Sequence, residues 1–248
     1  MNAGGKLRQL CLAALVVALL LLAGCGGKKQ ARVKAPPPPD MTAGTSVEER
    51  PAATESEAAT ADLRDAKPIY VETGIASWYG PPYHNRRAAN GEIFDMNGMT
   101  AAHRTLPLNS VARVTNVKTG SSTVVRITDR GPFVEGRMLD LSAAAAKKVD
   151  VWRPGLARVR LEVLEAPAAI EHGGRWCVQF GAFTSMKEAT KFKERLQRRY
   201  TTANVLQFTG PTGDWVRVRV KDDDKKRAQK VLNETEVPEG AAFLVRLD

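Results

Sequence analysis

The chain has 248 residues, 43% of them hydrophobic, and carries a net charge of +10 from 37 Lys and Arg set against 27 Asp and Glu. Its three cysteines and three histidines offer neither a disulfide framework nor a metal-ligand spacing. A basic balance of this size suits an anionic partner, either nucleic acid or an acidic polymer.

At the start of the chain, Lys6 and Arg8 precede an apolar run from Leu10 to Leu22, which breaks at Leu22-Ala23-Gly24-Cys25. Charge, a short apolar core and small residues, in that order, make an export signal, and the run is short for a membrane span. Left uncleaved, it would anchor the chain on the same side of the membrane. The small residues before Cys25 resemble the lipobox of bacterial lipoproteins. That resemblance implies a signal over residues 1–24, acylation of Cys25 and, with Gly26 following, delivery to the outer membrane. Cys11 then leaves with the signal and Cys25 carries lipid, so Cys177 stands alone and no internal disulfide forms. Losing Lys6 and Arg8 lowers the charge from +10 to +8. Outside the cytoplasm, the cell wall and anionic lipid headgroups replace nucleic acid as the expected partners.

Residues 25–68 are rich in Ala, Pro, Thr and Glu, include four prolines at Pro36 to Pro39, and contain almost no large apolar residue. Such a segment cannot bury enough surface to offset chain entropy and reads as an extended tether. The region 69–167 alternates apolar and polar residues in "GIASWYG", "SVARVTNV", "STVVRITD" and "ARVRLEVL", with turns such as "KTG" and "RGP" between them. One helix is expected over Leu141 to Val149, with Ser142 as its N-cap. The region therefore predicts a small β-barrel. Residues 174–248 read as strand, amphipathic helix, strand, strand, helix, strand, the ferredoxin-like α+β order with both helices on one face of the sheet.

Alternation along "WVRVRV" directs Val216, Val218 and Val220 toward those helices, and Trp215, Arg217 and Arg219 to the opposite face. In "WCVQFGAF" the same rule sends Trp176, Val178 and Phe180 inward, and Cys177 and Gln179 outward. An exposed Trp beside arginines and an amide reads as a platform for a polymer; the plainer alternative is a Trp covering a sheet edge beside solvated arginines. Val178 to Phe183 is similar to the "VQxGAF" motif of the SPOR domain. This resemblance implies binding to peptidoglycan glycan strands stripped of stem peptides, with Gln179, Trp215 and Arg217 on the glycan-contacting face.

In the barrel region, Glu92 follows the turn dipeptide Asn90-Gly91, and Asp129 opens the turn Arg130-Gly131-Pro132. Cleavage of a glycosidic bond requires a carboxylic acid at the leaving oxygen and a second group for the oxocarbenium-like centre. Each residue also has a plain structural reading: Glu92 as a solvated turn residue, Asp129 as a turn cap or a partner of Arg130, and His103 as a satisfied buried imidazole. The segments "GIASWYG", "ANGEIFDMNGMTAAHRTLPLNSVARVTNVKTG" and "VRITDRGPFVEGRMLDLSAAAAKKV" resemble, nearly end to end, the rare lipoprotein A family. That family comprises double-psi β-barrel septal lytic transglycosylases with a C-terminal SPOR domain. The resemblance implies a site of Glu92, His103 and Asp129, no metal and no organic cofactor. It further implies cleavage of the β-1,4 bond between N-acetylmuramic acid and N-acetylglucosamine to 1,6-anhydro ends at the division septum. The acid is Glu92 or Asp129, and His103 orients a carboxylate or binds substrate. Ala89 stands where the family usually has Thr, and "YHNRRAA" replaces a more glycine-rich stretch. A lipid-anchored monomer, working with septal division proteins and binding no nucleic acid, is expected. The rival reading is a non-enzymatic wall-binding or wall-loosening protein of the expansin kind.

Overall fold

The computed structural model describes residues 66–248, so the expected signal, Cys25 and nearly all of the tether lie outside the described residues. Six strands close into a barrel: β1 (Tyr70–Trp78), β2 (Thr100–His103), β3 (Val111–Asn116), β4 (Ser122–Asp129), β5 (Arg137–Leu141) and β6 (Ala157–Glu165), in the order β1-β5-β2-β4-β3-β6. The pairs β1–β5 and β2–β4 run parallel and the other four antiparallel. This is the expected double-psi barrel, in which β2 and β5 are short inserted strands of four and five residues. Alternation along β3 and β6 sends Ala112, Val114, Val159, Leu161 and Val163 into a common core with Ile127, Leu139 and Leu141, all at most 1% exposed. The single barrel helix, α1 (Ala143–Lys148), begins where Ser142 accepts the Ala145 N–H, and its Ala145 and Ala146 pack into that core.

A four-stranded sheet follows, ordered β10-β7-β9-β8, from β7 (Trp176–Phe183), β8 (Asn204–Gly210), β9 (Gly213–Arg219) and β10 (Ala241–Arg246). Helices α2 (Met186–Arg199) and α3 (Lys225–Glu234) are capped by Ser185 and Asp224. Ala189, Phe192 and Leu196 of α2, and Ala228 and Val231 of α3, pack on Trp176, Val178, Phe180, Val216, Val218 and Val220. The inward half of the predicted alternation is thus as observed.

The outward half is corrected. Trp215, Gln179 and Cys177 do point away from the helices, but they are only 3%, 1% and 0% exposed. Trp215 and Cys177 join Phe243 and Val245 in a separate cluster against which Phe133 of the barrel packs. The face expected to be open is therefore covered by the turn that follows β4.

Because Leu161 sits in a close-packed barrel interior, Leu161→Ala is expected to destabilise the fold by about 2–5 kcal/mol. Leu156→Ala, at a side chain 53% exposed, should change stability by less than about 0.5 kcal/mol. Urea unfolding of both variants checks the contrast.

Candidate functional site

Asp129 ends β4 and owes its aim to a β-bulge. In the β2–β4 pair Thr100 faces Arg126, Ala101 faces Ile127, and Ala102 faces Asp129, so Thr128 is the extra residue. Thr100 and Ala102 share a face of the sheet, and the bulge consequently puts Arg126 and Asp129 on that same face. Without it, the two side chains would project to opposite sides.

Arg126 makes two parallel bonds to Glu92, Nη1 to Oε1 at 2.8 Å and Nη2 to Oε2 at 2.7 Å. This bidentate partner, the largest influence on the group, lowers the Glu92 pKa below the usual carboxylate range. Glu92 is exposed in the turn after Gly91, which adopts φ +94°, as the Asn-Gly dipeptide anticipates. The loop carrying it is stapled to β4: the Asn90 N–H donates to the Thr128 carbonyl, and the Ala89 N–H donates to Asp129 Oδ1 at 3.0 Å.

Asp129 lies at the opposite electrostatic extreme. Burial raises its pKa, against the pull of the Arg130 and Ala89 N–H groups on Oδ1 and of the Arg130 charge, while the nearby Asp140 carboxylate raises it further. Oδ2 has no hydrogen-bond partner among the described residues. One carboxylate is thus held ionised and the other biased toward its protonated form.

The sequence reading missed Asp140. Strand register places Ala102 between Asp129 on β4 and Asp140 on β5, with Ser77 of β1 beyond. Residues paired across adjacent strands share a face, so the two aspartates flank a single methyl group, roughly 10 Å apart at the backbone by two strand spacings. Asp140 accepts from the Ser77 hydroxyl on Oδ1 at 2.5 Å and from Arg137 on Oδ2 at 3.0 Å. Burial raises its pKa too, opposed by Arg137. Its only sequence signal was an acidic residue inside the apolar run "MLDL".

Aromatic and hydroxyl groups complete the cleft. Tyr79 stacks on Phe94 with centroids 4.3 Å apart, and its phenol pKa is raised by burial and then by Asp129 and Asp140. The buried hydroxyl of Thr128 finds no protein partner, and those of Tyr79 and Thr100 have at most each other. Thr100 and Thr128, with Glu92, Phe94 and Arg126, line a cavity of about 160 Å³. Such hydroxyls beside an aromatic ring and a carboxylate are suited to a polyhydroxylated ligand.

His103 lies outside this arrangement. Its Nδ1 accepts the N–H groups of Thr105 and Leu106 at 3.2 and 3.1 Å, which leaves the proton on Nε2, 3.3 Å from Glu72 Oε2. Burial lowers its pKa and Glu72 partly restores it. Among the described residues no hydrogen bond or ion pair joins it to Glu92 or Asp129. Of the three expected site residues, the fold brings two together and gives the third a different carboxylate. Gln179 and Arg217 bond one another, Nη2 to Oε1 at 2.8 Å, on the covered sheet face beside Trp215. No cluster of three or more metal-ligating side chains occurs among the described residues.

Residues 71–161 match the family described as lytic transglycolase, and residues 172–246 match the SPOR domain. In carrying these two domains in this order the chain is similar to proteins of the RlpA family. The endolytic peptidoglycan transglycosylase RlpA of Vibrio cholerae is 56% identical over 95 residues, covering 38% of this chain and 36% of that protein. The Helicobacter pylori relative is 41% identical over 152 residues, covering 50% and 48%. That of Campylobacter jejuni is 35% identical over 164 residues, covering 56% and 60%. The chain therefore aligns with between about a third and three fifths of these relatives' lengths.

A raised folded pKa at Asp129 means that its ionisation opposes folding. That contribution to stability is fully present below the unfolded pKa and is lost as pH rises through the folded one. Asp129→Asn keeps an oxygen for the Ala89 and Arg130 N–H groups and is expected to raise the melting temperature at pH 7. The gain should vanish on acidification below the ordinary carboxylate range, and calorimetry across pH measures it.

Proposed function

We propose that this protein is an endolytic lytic transglycosylase that cuts peptidoglycan glycan strands lacking stem peptides at the bond between N-acetylmuramic acid and N-acetylglucosamine. The observation that carries the reading is the opposed protonation bias of Asp129 and Glu92, built onto one face of the barrel by the Thr128 bulge.

Asp129 protonates the glycosidic oxygen as the bond to the muramyl anomeric carbon breaks. The positive charge that develops on the sugar is stabilised by the ionised Glu92 and by Asp140, which is fixed between Ser77 and Arg137. Asp129, now a carboxylate, takes the proton from the muramyl 6-hydroxyl as that oxygen closes on the anomeric carbon. The 1,6-anhydro ring forms, the acid is regenerated, and no water is consumed. The desolvation and the Asp140 charge that raise the Asp129 pKa suit a group that must both give and recover a proton. His103 acts as a positioning residue, since neither of its nitrogens has a free lone pair.

The SPOR domain would hold the enzyme on stripped strands, with Gln179, Trp215 and Arg217 as contacts, and so enrich it at the septum. Acylated Cys25 would anchor it to the outer membrane through the tether. These assignments rest on the family and on the order of the sequence motifs.

With stem-peptide-free peptidoglycan as substrate, residues 67–248 should release products ending in 1,6-anhydromuramyl groups, identified by mass spectrometry. Asp129→Asn should lower the rate by about 10²–10⁴, the usual worth of a general acid. Glu92→Gln and Asp140→Asn should each lower it with binding retained. Strand binding without any anhydro product from the wild type would sink the enzymatic reading and favour a wall-binding protein.

A further inference from the structure

The two domains share an interface on the very sheet face that the functional reading gives to glycan. Phe133, at the end of the Asp129–Phe133 turn, lies 5.4 Å from the Trp215 ring and 5.8 Å from the Phe243 ring, centroid to centroid. Arg104 places its guanidinium 5.6 Å from the Phe243 centroid, while its Nη1 binds the carbonyls of Pro132 and Arg137. Around this apolar contact runs a rim of hydrogen bonds to backbone oxygens. Arg130 Nη2 donates to the Asp248 carbonyl oxygen at 2.6 Å, the Leu108 N–H donates to the same oxygen, and the Arg246 N–H donates to the Arg104 carbonyl.

The contact has the anatomy of a specific interface, with a buried aromatic centre and a polar edge. Its hydrogen bonds are nevertheless few, and two of these three end on one oxygen, that of Asp248. A long polymer that offers both a stacking surface for Trp215 and acceptors for Arg217 makes contacts of the same kind.

We propose that the Asp129–Phe133 turn is the resting occupant of the SPOR sheet face, and that a glycan strand binds there only by displacing it. The inference rests on the reading of that face as the glycan surface. The turn contains Asp129, so engagement of the sheet and release of the catalytic turn become one event. A domain held in this way pays a conformational penalty: its apparent dissociation constant is the intrinsic one divided by the undocked fraction.

The test uses the full chain and its Phe133→Asp variant, with Phe133→Ala as a milder version should the charge impair folding. Cys11→Ser and Cys25→Ser make Cys177, which is fully buried at the interface, the sole thiol. Labelling of Cys177 by a thiol reagent should be at least about tenfold faster in Phe133→Asp without ligand, which reports undocking. Soluble stem-peptide-free glycan strands should bind the variant at least about fivefold more tightly than the parent. In the parent they should speed hydrogen exchange at the Leu108 amide. Equal affinities, with Leu108 still protected in the strand-bound parent, would overturn the proposal. Rapid labelling of Phe133→Asp with no strand binding by any variant would instead overturn the glycan reading itself, since the face would be free and still unused.

Discussion

The site depends on how β2 is held, because this four-residue strand borders β4 on one side in parallel and β5 on the other in antiparallel. Ala102 sits between Asp140 and Asp129 in a row that begins with Ser77 and projects to one face. Two bulges set the row. Thr128 is the extra residue in β4, and in the β1–β5 pair Ile75 faces Arg137 while Ala76 faces Leu139, making Met138 the extra residue there. Each bulge reverses the side to which the following residues point, so two carboxylates that strict alternation would have scattered converge on one groove.

Convergence alone would be unfavourable, since two neighbouring carboxylates repel and burial penalises both. The fold distributes the cost by giving each acid a distinct partner set. Glu92 has a guanidinium on both oxygens in the open, and Asp140 has one oxygen on a hydroxyl and one on Arg137. Asp129 receives only backbone N–H groups, on a single oxygen. Burial raises the pKa of both aspartates, whereas Glu92 is lowered. The division of labour therefore comes from burial, which raises Asp129, and from the bidentate Arg126 partner, which lowers Glu92, rather than from residue type.

The architecture was largely legible in the sequence because alternation and turn chemistry are local signals. The helix cap at Ser142, the end of β4 at Asp129 and the sides taken by Val216, Val218 and Val220 could all be read directly. Strands β2 and β5 were not, because four or five residues carry too little periodicity to separate from loop, and with them went Asp140. The cover over Trp215 was also invisible. Alternation tells which side of a sheet a residue takes, but not what a second domain lays across it, and Phe133 lies 82 positions before Trp215 in the chain. His103 was legible as a candidate, yet the pattern could not choose between proton carrier and satisfied imidazole, a choice that depends on where Thr105, Leu106 and Glu72 sit.

That histidine also bears on how substitutions should be interpreted. A side chain at position 103 must accept two amides from the residues two and three places ahead while donating, from the far side of the same group, to a carboxylate on another strand. Asn or Gln could take the amides but would have to reach Glu72 with a differently placed nitrogen, and an apolar residue would strand all three partners. Intolerance of replacement at this position is therefore the signature of a geometric keystone, and on its own it says nothing about whether a proton ever passes through the ring.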